Sequence, residues 1–249
     1  MTDAQKTKFR TLIEESGNTV FFGGAGVSTE SGIPDFRSSD GLYNTKDVTF
    51  ADYSPEYLLS SDCLDRHPDV FFEFFRQKMD TRRFEPNPAH YALAKLEERG
   101  KLAALITQNI DGLHQRAGSR NVIELHGSSF RNYCRKCGKK YPADYVFDSR
   151  EAVPRCSCGG VVRCDVTLYG EELPSDAIRR AVEAISRAEL LIVGGTSLAV
   201  YPAAGFLRFF RGRHTVVINR EHIPYPLDPV DDLEINEPIG RVMSELFEE

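Results

Sequence analysis

The sequence lacks a basic excess, a long apolar run and any low-complexity tract. Its formal net charge is −6, which argues against broad electrostatic attachment to nucleic acid or to an anionic membrane surface. The longest aliphatic runs, such as 190–193, are far too short to span a bilayer, and residues 1–20 contain no apolar core of a secretory signal. We therefore expect a cytoplasmic protein with no membrane contact and no direct nucleic acid binding.

Short apolar runs alternate with helical patterns along the chain. The 249 residues are 41% hydrophobic, enough for one large core or one core with a small satellite. The predicted strands are 19–22, 102–107, 190–193 and 215–219, and the predicted helices are 4–16, 88–99 and 174–187. Apolar strands that alternate with helices are typical of an α/β fold, here a Rossmann-like doubly wound parallel sheet.

Five of the six cysteines are concentrated in a segment that interrupts this alternation. Cys134 and Cys137 are separated by two residues, and Cys156 and Cys158 by one, so four thiolates are available for one structural zinc ion. Cys164 is an alternative ligand, and a redox CxxC pair is the rival interpretation, although such pairs begin a helix after a strand. We expect a small zinc-binding module at 131–165, inserted into a Rossmann-like domain formed by 1–130 and 166–249.

The segment 21–37, FFGGAGVSTESGIPDFR, begins as a strand and continues into a glycine-rich turn. Gly24 and Gly26 would let the backbone approach a phosphate, and a following helix would offer free N–H groups. Thr29 stands where the third glycine of GxGxxG belongs, so a purely structural turn is the alternative. The proline of Gly-Ile-Pro stops a helix, and residues 35–37 are therefore expected on an ordered loop that covers a dinucleotide.

Several motifs in one order resemble the sirtuin family of NAD-dependent protein lysine deacylases. They are GAGVSTESGIPDFR (24–37), TQNIDGLHQRAGS (107–119), ELHGS (124–128), the paired cysteines, LYGEELP (168–174), GGTSLAVYPA (194–203) and VVIN (216–219). The match runs from about residue 5 to the end of the chain, so 1–249 resembles a sirtuin catalytic core. The resemblance implies NAD-dependent removal of acetyl or other apolar acyl groups from protein lysines, giving nicotinamide, O-acyl-ADP-ribose and free lysine.

The resemblance also implies which residues form the NAD site. They are Gly24, Ala25, Gly26, Ser28, Thr29, Ile33, Asp35, Phe36, Arg37, Gln108, Asn109, Ile110, Asp111, His126, Gly195, Thr196, Ser197 and Asn219. His126 would be the general base, since an imidazole pKa near 6.5 suits proton transfer at neutral pH; a structural hydrogen-bonding role is the alternative. Asn109 would be the second catalytic residue, holding the ribose hydroxyls or an ordered water. The family closes the adenine pocket with a residue that falls around 237–239.

The acylated lysine is expected in an extended peptide that pairs with two strands, for which 167–173 and 198–200 are the candidates by resemblance. Phe72 and Phe75 stand where desuccinylating members carry tyrosine and arginine, which favours an apolar acyl group; a buried helix face is the alternative. Two other activities stay open, a protein ADP-ribosyltransferase and a noncatalytic NAD-binding module. The presence of both His126 and Asn109 favours the deacylase.

Overall fold

The structure is a computed structural model that describes residues 1–36, 41 and 48–247. The strands of these residues are β1 (Thr19–Gly23), β2 (Ala104–Thr107), β3 (Val122–Glu124), β4 (Gly127–Cys134), β5 (Lys140–Pro142), β6 (Val162–Val166), β7 (Leu190–Gly194), β8 (His214–Ile218) and β9 (Leu233–Ile235). The helices are α1 (Asp3–Glu15), α2 (Pro55–Leu58), α3 (Ser61–Arg66), α4 (Pro68–Lys78), α5 (Pro88–Glu98), α6 (Leu113–Arg116), α7 (Asp144–Phe147), α8 (Ser175–Arg187) and α9 (Ile239–Glu245). Within the described part of the chain, none of these helices has the length and apolarity to cross a membrane.

A six-stranded parallel sheet forms the larger lobe, in the order β3-β2-β1-β7-β8-β9. Every residue of β1 and β7 is buried, because helices cover both faces of the sheet. Phe21 points into the core formed with α1, α5 and α9, whereas Val20 and Phe22 point into the core formed with α8. This architecture confirms the predicted Rossmann-like doubly wound fold.

Two of the six strands, β3 and β9, were not predicted from the sequence. Each has only three residues, of which one is fully buried, so neither produces a long apolar run. The α-helix expected after the glycine turn is also absent: the chain forms two single 3₁₀ turns, Ala25–Val27 and Thr29–Ser31. Ser28, between the turns, uses its hydroxyl for a bond to Asp111, and Gly32 then ends the second turn at φ +89°.

A second lobe is built around a three-stranded antiparallel sheet in the order β5-β4-β6. The helices α2 to α4 pack against this sheet through one apolar cluster. Phe72 and Phe75 are fully buried in this cluster, and the ring of Phe75 stacks on Phe147 with centroids 5.6 Å apart. The lobe therefore combines the segment around the cysteines with helices that precede it by more than fifty residues. The division of the chain into 1–130, 131–165 and 166–249 stays a prediction.

Candidate active site and metal centre

The predicted NAD-site residues follow the carboxyl ends of the parallel strands. From β1 the chain builds the sheet outward through β2 and β3, then crosses to β7 on the other side of β1. The chain continues from β1 toward β2 and from β7 toward β8, in opposite directions along the sheet. The ends of β1 and β7 therefore mark a topological switch point, the usual place for a ligand in a doubly wound sheet. The residues 24–36 follow β1, 108–111 follow β2, His126 follows β3, 195–197 follow β7 and Asn219 follows β8.

The glycine loops after β1 and β7 touch each other through their backbones. The N–H of Gly26 donates to the Gly195 carbonyl at 2.8 Å, and the N–H of Gly24 donates to the Gly194 carbonyl at 3.4 Å. A Cβ at Gly26 would lie 2.8 Å from the Gly195 Cα, and a Cβ at Gly195, whose φ is +57°, would lie 2.4 Å from the nitrogen of Val27. Close loop packing therefore requires these glycines, in addition to any role in phosphate binding.

Ser28, Asp111 and Asn109 form a connected polar group between the first and second loops. The Ser28 hydroxyl donates to Asp111 Oδ2 at 2.6 Å and accepts from Asn109 Nδ2 at 3.0 Å. Asp111 Oδ1 accepts from the N–H of Leu113 at 2.9 Å. Burial raises the pKa of the Asp111 carboxyl, although the hydrogen bond from Ser28 lowers it. The carboxyl is therefore held in a fixed orientation by donors on two different loops.

Gln108 links the second loop to the loop after β7. Its backbone N–H donates to the Gly23 carbonyl at 3.0 Å, and its side-chain amide donates to Thr196 Oγ1 at 3.2 Å. The same hydroxyl of Thr196 accepts from the N–H of Leu198 at 3.2 Å. The three loops that follow β1, β2 and β7 are thus connected by direct hydrogen bonds.

His126 is fixed in one tautomer by the carbonyl of Gln108, which lies 2.8 Å from Nδ1. A carbonyl only accepts, so Nδ1 carries the proton and Nε2 is left with a free lone pair. Burial lowers the pKa of the imidazole, and the bond to Gln108 opposes that shift. His126 is consequently a neutral imidazole at pH 7, able to accept a proton at Nε2.

The other predicted site residues are less tightly connected. The Thr29 hydroxyl donates to the Gly26 carbonyl, the N–H of Ile33 donates to the Ser28 carbonyl at 3.3 Å, and the Asn219 amide donates to the Glu221 carbonyl. Ala25, Asp35, Phe36, Ile110 and Ser197 lie in the same loops; Phe36 and Ile110 pack against the second-lobe cluster. Arg37 lies outside the described residues.

One of the two segments predicted to bind peptide is held by an ion pair that sequence analysis did not identify. Arg163 is 5% exposed and donates to Glu171 Oε2 at 3.0 Å and to the Val166 carbonyl at 2.5 Å. Glu171 Oε2 also accepts from the N–H of Leu168 at 2.9 Å. The only sequence signal was an arginine between apolar residues in VVRCDV, which also contains Asp165, and a buried charge requires such a partner.

The backbone of the same segment pairs with a distant part of the chain. Tyr169 donates to the Leu59 carbonyl and accepts from the N–H of Ser61, each at 3.0 Å, in a parallel bridge to Ser60. The second predicted segment, 198–200, has no strand pairing in the structure. It is an irregular stretch in which Ala199 is exposed and Leu198 and Val200 are half-buried.

Four cysteine sulfurs converge on one point. The sulfurs of Cys134, Cys137, Cys156 and Cys158 all lie within 4.8 Å of one another. The Cys134–Cys158 and Cys137–Cys156 distances are 3.5 and 3.6 Å, far longer than a disulfide bond and close to the roughly 3.8 Å edge of a tetrahedral zinc–thiolate site. Cys164 is buried and does not belong to this group. The four residues predicted from spacing therefore fit one structural zinc ion.

The backbone around the sulfurs also suits a metal centre. The N–H of Lys136 points to the Cys134 sulfur at 3.4 Å. A Cβ at Gly160 would lie 2.6 Å from the same sulfur, so glycine is required there. A backbone hydrogen bond from Cys158 is the main cause that lowers the pKa of Cys156 to about 6. The N–H of Lys136 and the lowered pKa of Cys156 favour thiolates at Cys134 and Cys156, the form that binds metal.

Comparison with known proteins identifies close relatives over nearly the whole chain. A protein of Clostridium acetobutylicum named NAD-dependent protein deacetylase is 54% identical over 237 residues, covering 95% of each chain. A protein of Cutibacterium acnes with the same name is 57% identical over 233 residues, covering 93% of each chain.

Two solved structures of similar fold, whose chains are 39% and 40% identical to this one, contain ligands. One is described as Sir2 with a p53 peptide and NAD⁺, with a TM-score of 0.83 over 96% of this chain and 95% of that one. Another is a Sir2 variant with a deacetylated p53 peptide and 3′-O-acetyl-ADP-ribose, with a TM-score of 0.86 over 97% and 98% of the two chains. Residues 24–202, which are most of the chain, match the model of the Sir2 family. The chain therefore belongs to the Sir2 family.

Proposed function

We propose that this protein is an NAD-dependent protein lysine deacetylase. It takes an acetylated lysine, or one with another apolar acyl group, in an extended segment of another protein. The products are free lysine, nicotinamide and O-acyl-ADP-ribose. Its close relatives are named NAD-dependent protein deacetylases, and the similar Sir2 structures were solved with NAD⁺, a p53 peptide or an acetylated ADP-ribose.

The single observation that carries the proposal is the state of His126. Its Nδ1–H donates to the Gln108 carbonyl at 2.8 Å. This bond selects the tautomer in which Nε2 is the proton acceptor. A ribose hydroxyl must lose a proton to attack the acyl carbon, and a neutral imidazole in a fixed orientation is suited to accept it. We assign His126 as the general base.

The polar group of Ser28, Asn109 and Asp111 would hold the nicotinamide end of NAD. When bound, NAD supplies the electrophilic ribose carbon that becomes positively charged as nicotinamide leaves. The Asp111 carboxyl is oriented by Ser28 and by the N–H of Leu113, and would accept from the carboxamide NH₂. Asn109, tied to Ser28 at 3.0 Å, would orient the ribose hydroxyls or a water. Preorganised polar groups of this kind cost little reorganisation during the reaction.

The remaining parts of the proposed cofactor site would bind the phosphates and the two riboses of NAD. The glycine loops at the switch point would bring the hydroxyls of Thr196 and Ser197 to one edge of the sheet, where phosphates bind in such folds. Phe36 would cover the reacting ribose and exclude water. Asn219, at the end of β8, would contact the adenosine ribose.

The four cysteines would hold a zinc ion with a structural role. Cys134 and Cys156 belong to the apolar cluster that also contains Phe75 and Phe147. A metal that fixes the cysteines would therefore stabilise the second lobe as a whole, without taking part in the reaction. We also propose a cytoplasmic location, which the reduced thiol ligand set supports because cytoplasmic thiols are kept reduced.

The experiment is an analysis of products by mass spectrometry. Purified protein is incubated with NAD and an acetyl-lysine peptide, with His126→Ala as the variant and His222→Ala as a control, since His222 is 70% exposed. We expect deacetylated peptide and nicotinamide with wild type and with His222→Ala. With His126→Ala we expect no deacetylated peptide and at most one nicotinamide per enzyme molecule, because the base acts after nicotinamide has left. Peptide that gains ADP-ribose and keeps its acetyl group would establish a transferase, and absence of nicotinamide would leave a binding module.

A further inference from the structure

Asn87 is a buried polar residue that lies directly behind the loop after β1. It is the N-cap of α5 and is 5% exposed. Its Oδ1 accepts from the N–H of Ala89 at 2.9 Å, a normal capping bond that satisfies one free N–H of the helix. Capping uses only the acceptor of the side chain, so both amide hydrogens are left for other partners.

Both hydrogens are used on the loop that follows β1. Asn87 Nδ2 donates to the Val27 carbonyl at 2.7 Å and to the Ser31 hydroxyl at 3.0 Å. Val27 ends the first 3₁₀ turn and Ser31 ends the second. The side chain therefore bridges the two turns, and Ser28, which binds Asp111, lies between them.

The other side of Asn87 reaches the second loop of the site. Its backbone N–H donates to His90 Nδ1 at 3.2 Å. The ring of His90 packs on the ring of His114, with centroids 4.7 Å apart, and His114 belongs to α6, which begins two residues after Asp111. Asn87 is thus connected to both loops that hold the Ser28–Asp111 pair.

We propose that Asn87 is a positioning residue for the NAD site: its amide fixes the two turns of the loop after β1 so that Ser28 meets Asp111. The role rests on the proposed function, because it assumes that this loop binds NAD. It predicts an effect on NAD affinity, with no effect on peptide binding.

The test is Asn87→Asp, which keeps the capping acceptor and removes both donors. Aspartate caps helices as well as asparagine, so α5 should keep its stability. We expect the KM for NAD to rise about tenfold, as loss of one to two hydrogen bonds implies, while kcat at saturating NAD and the KM for acetyl-peptide change less than twofold. If the buried charge of Asn87→Asp disturbs folding, Asn87→Ser takes its place in the test. Serine is a neutral cap that is too short to reach both acceptors, so it should give the same pattern. Ser31→Ala, which removes one acceptor, should give a smaller rise.

The control is Ile185→Val, which trims a fully buried side chain of α8, a helix that supplies no residue of the predicted NAD site; it should lower Tm with no change in the KM for NAD. Calorimetric titration of each variant with NAD alone measures the Kd independently of turnover. A tenfold weaker Kd for both Asn87 variants supports the positioning role. If the wild type binds NAD but removes no acetyl group, that result refutes only the proposed function and leaves the positioning role intact. Wild-type Kd in both variants, or an equal loss of NAD affinity in Ile185→Val, would overturn the role. Wild type that binds no NAD would overturn both.

Discussion

At the residue scale, the imidazole of His126 sets the acid side of the activity profile. Burial lowers its pKa below the usual 6.5, and only the neutral ring can accept a proton. The kcat/KM for acetyl-peptide should therefore fall as the pH drops from 8 to 5, with a midpoint below 6.5. Initial rates at subsaturating peptide, measured from pH 5 to 8, check this. A midpoint above 6.5 would mean that an anion near His126, rather than burial, controls the base.

The Arg163–Glu171 pair gives a second prediction at the same scale. Glu171→Gln weakens the bond to a buried guanidinium and to the N–H of Leu168, so the segment that pairs with Ser60 loses its anchor. We expect the KM for acetyl-peptide to rise about fivefold to tenfold, as one charge-assisted hydrogen bond implies, with the KM for NAD unchanged. The matched control is Glu172→Gln at the exposed neighbouring position. Equal increases in both KM values would contradict an effect confined to the peptide side.

At the element scale, the two glycine loops form one packing unit at the switch point. Gly26→Ala would place a methyl group 2.8 Å from the Gly195 Cα and carbonyl oxygen, so the loops must separate. We expect a loss of roughly 1–3 kcal/mol in the free energy of unfolding and at least tenfold weaker NAD binding, measured by denaturant titration and calorimetry. Gly205→Ala, whose Cβ would meet only ordinary contacts of 3.6 Å, should change neither quantity. Unchanged NAD affinity in Gly26→Ala would show that the loop contact is dispensable.

The second lobe depends on its cysteines in the same way. Because Cys134 and Cys156 are part of the apolar cluster with α4, removal of zinc should disorder more than the metal loops. A strong chelator should release about one zinc ion per chain, lower Tm by several degrees and abolish activity, and added zinc should restore both. Atomic absorption and thermal unfolding measure this. Full activity in protein shown to be free of metal would contradict a structural zinc.

Among the strands of the parallel sheet, sequence alone predicts those that are buried from both sides and misses the short strands at the two edges. The strands β1, β2, β7 and β8 appear as apolar runs because helices cover both faces of the sheet, whereas β3 and β9 have three residues each. The sequence motifs identified candidate site residues on five separate loops, and the fold brings these loops to one edge of the parallel sheet. It did not find Arg163 or Asn87, because each acts through partners far away in the sequence. The packing of α2 to α4 on the cysteine-bearing lobe is likewise a long-range contact without a local signal.

At the scale of the whole molecule, buried histidines link stability to pH. His90 and His114 are almost fully buried, and three of their four ring nitrogens have no partner among the described residues. Burial lowers the pKa of His90 to about 4 and that of His114 well below 6.5. The unfolded chain therefore binds protons that the folded chain excludes, and stability falls as the pH drops below about 6.5.

His114→Leu tests this linkage. The variant removes one titrating group and no hydrogen bond, so its free energy of unfolding at pH 8 should match or exceed that of wild type. Between pH 8 and 5 it should lose about 2 kcal/mol less than wild type, by denaturant titration at both pH values. The same loss in both proteins would show that His114 is already paired or solvated in the folded state.

The most direct test of the whole account is the fate of the acetyl group. A peptide with a ¹³C-labelled acetyl-lysine is incubated with NAD and the protein, and all labelled products are followed by mass spectrometry from the first turnover. The account predicts that the label moves to O-acetyl-ADP-ribose, with one nicotinamide and one free lysine formed for each label transferred. Label released directly as acetate without nicotinamide, or label retained on a peptide that has gained ADP-ribose, would contradict it.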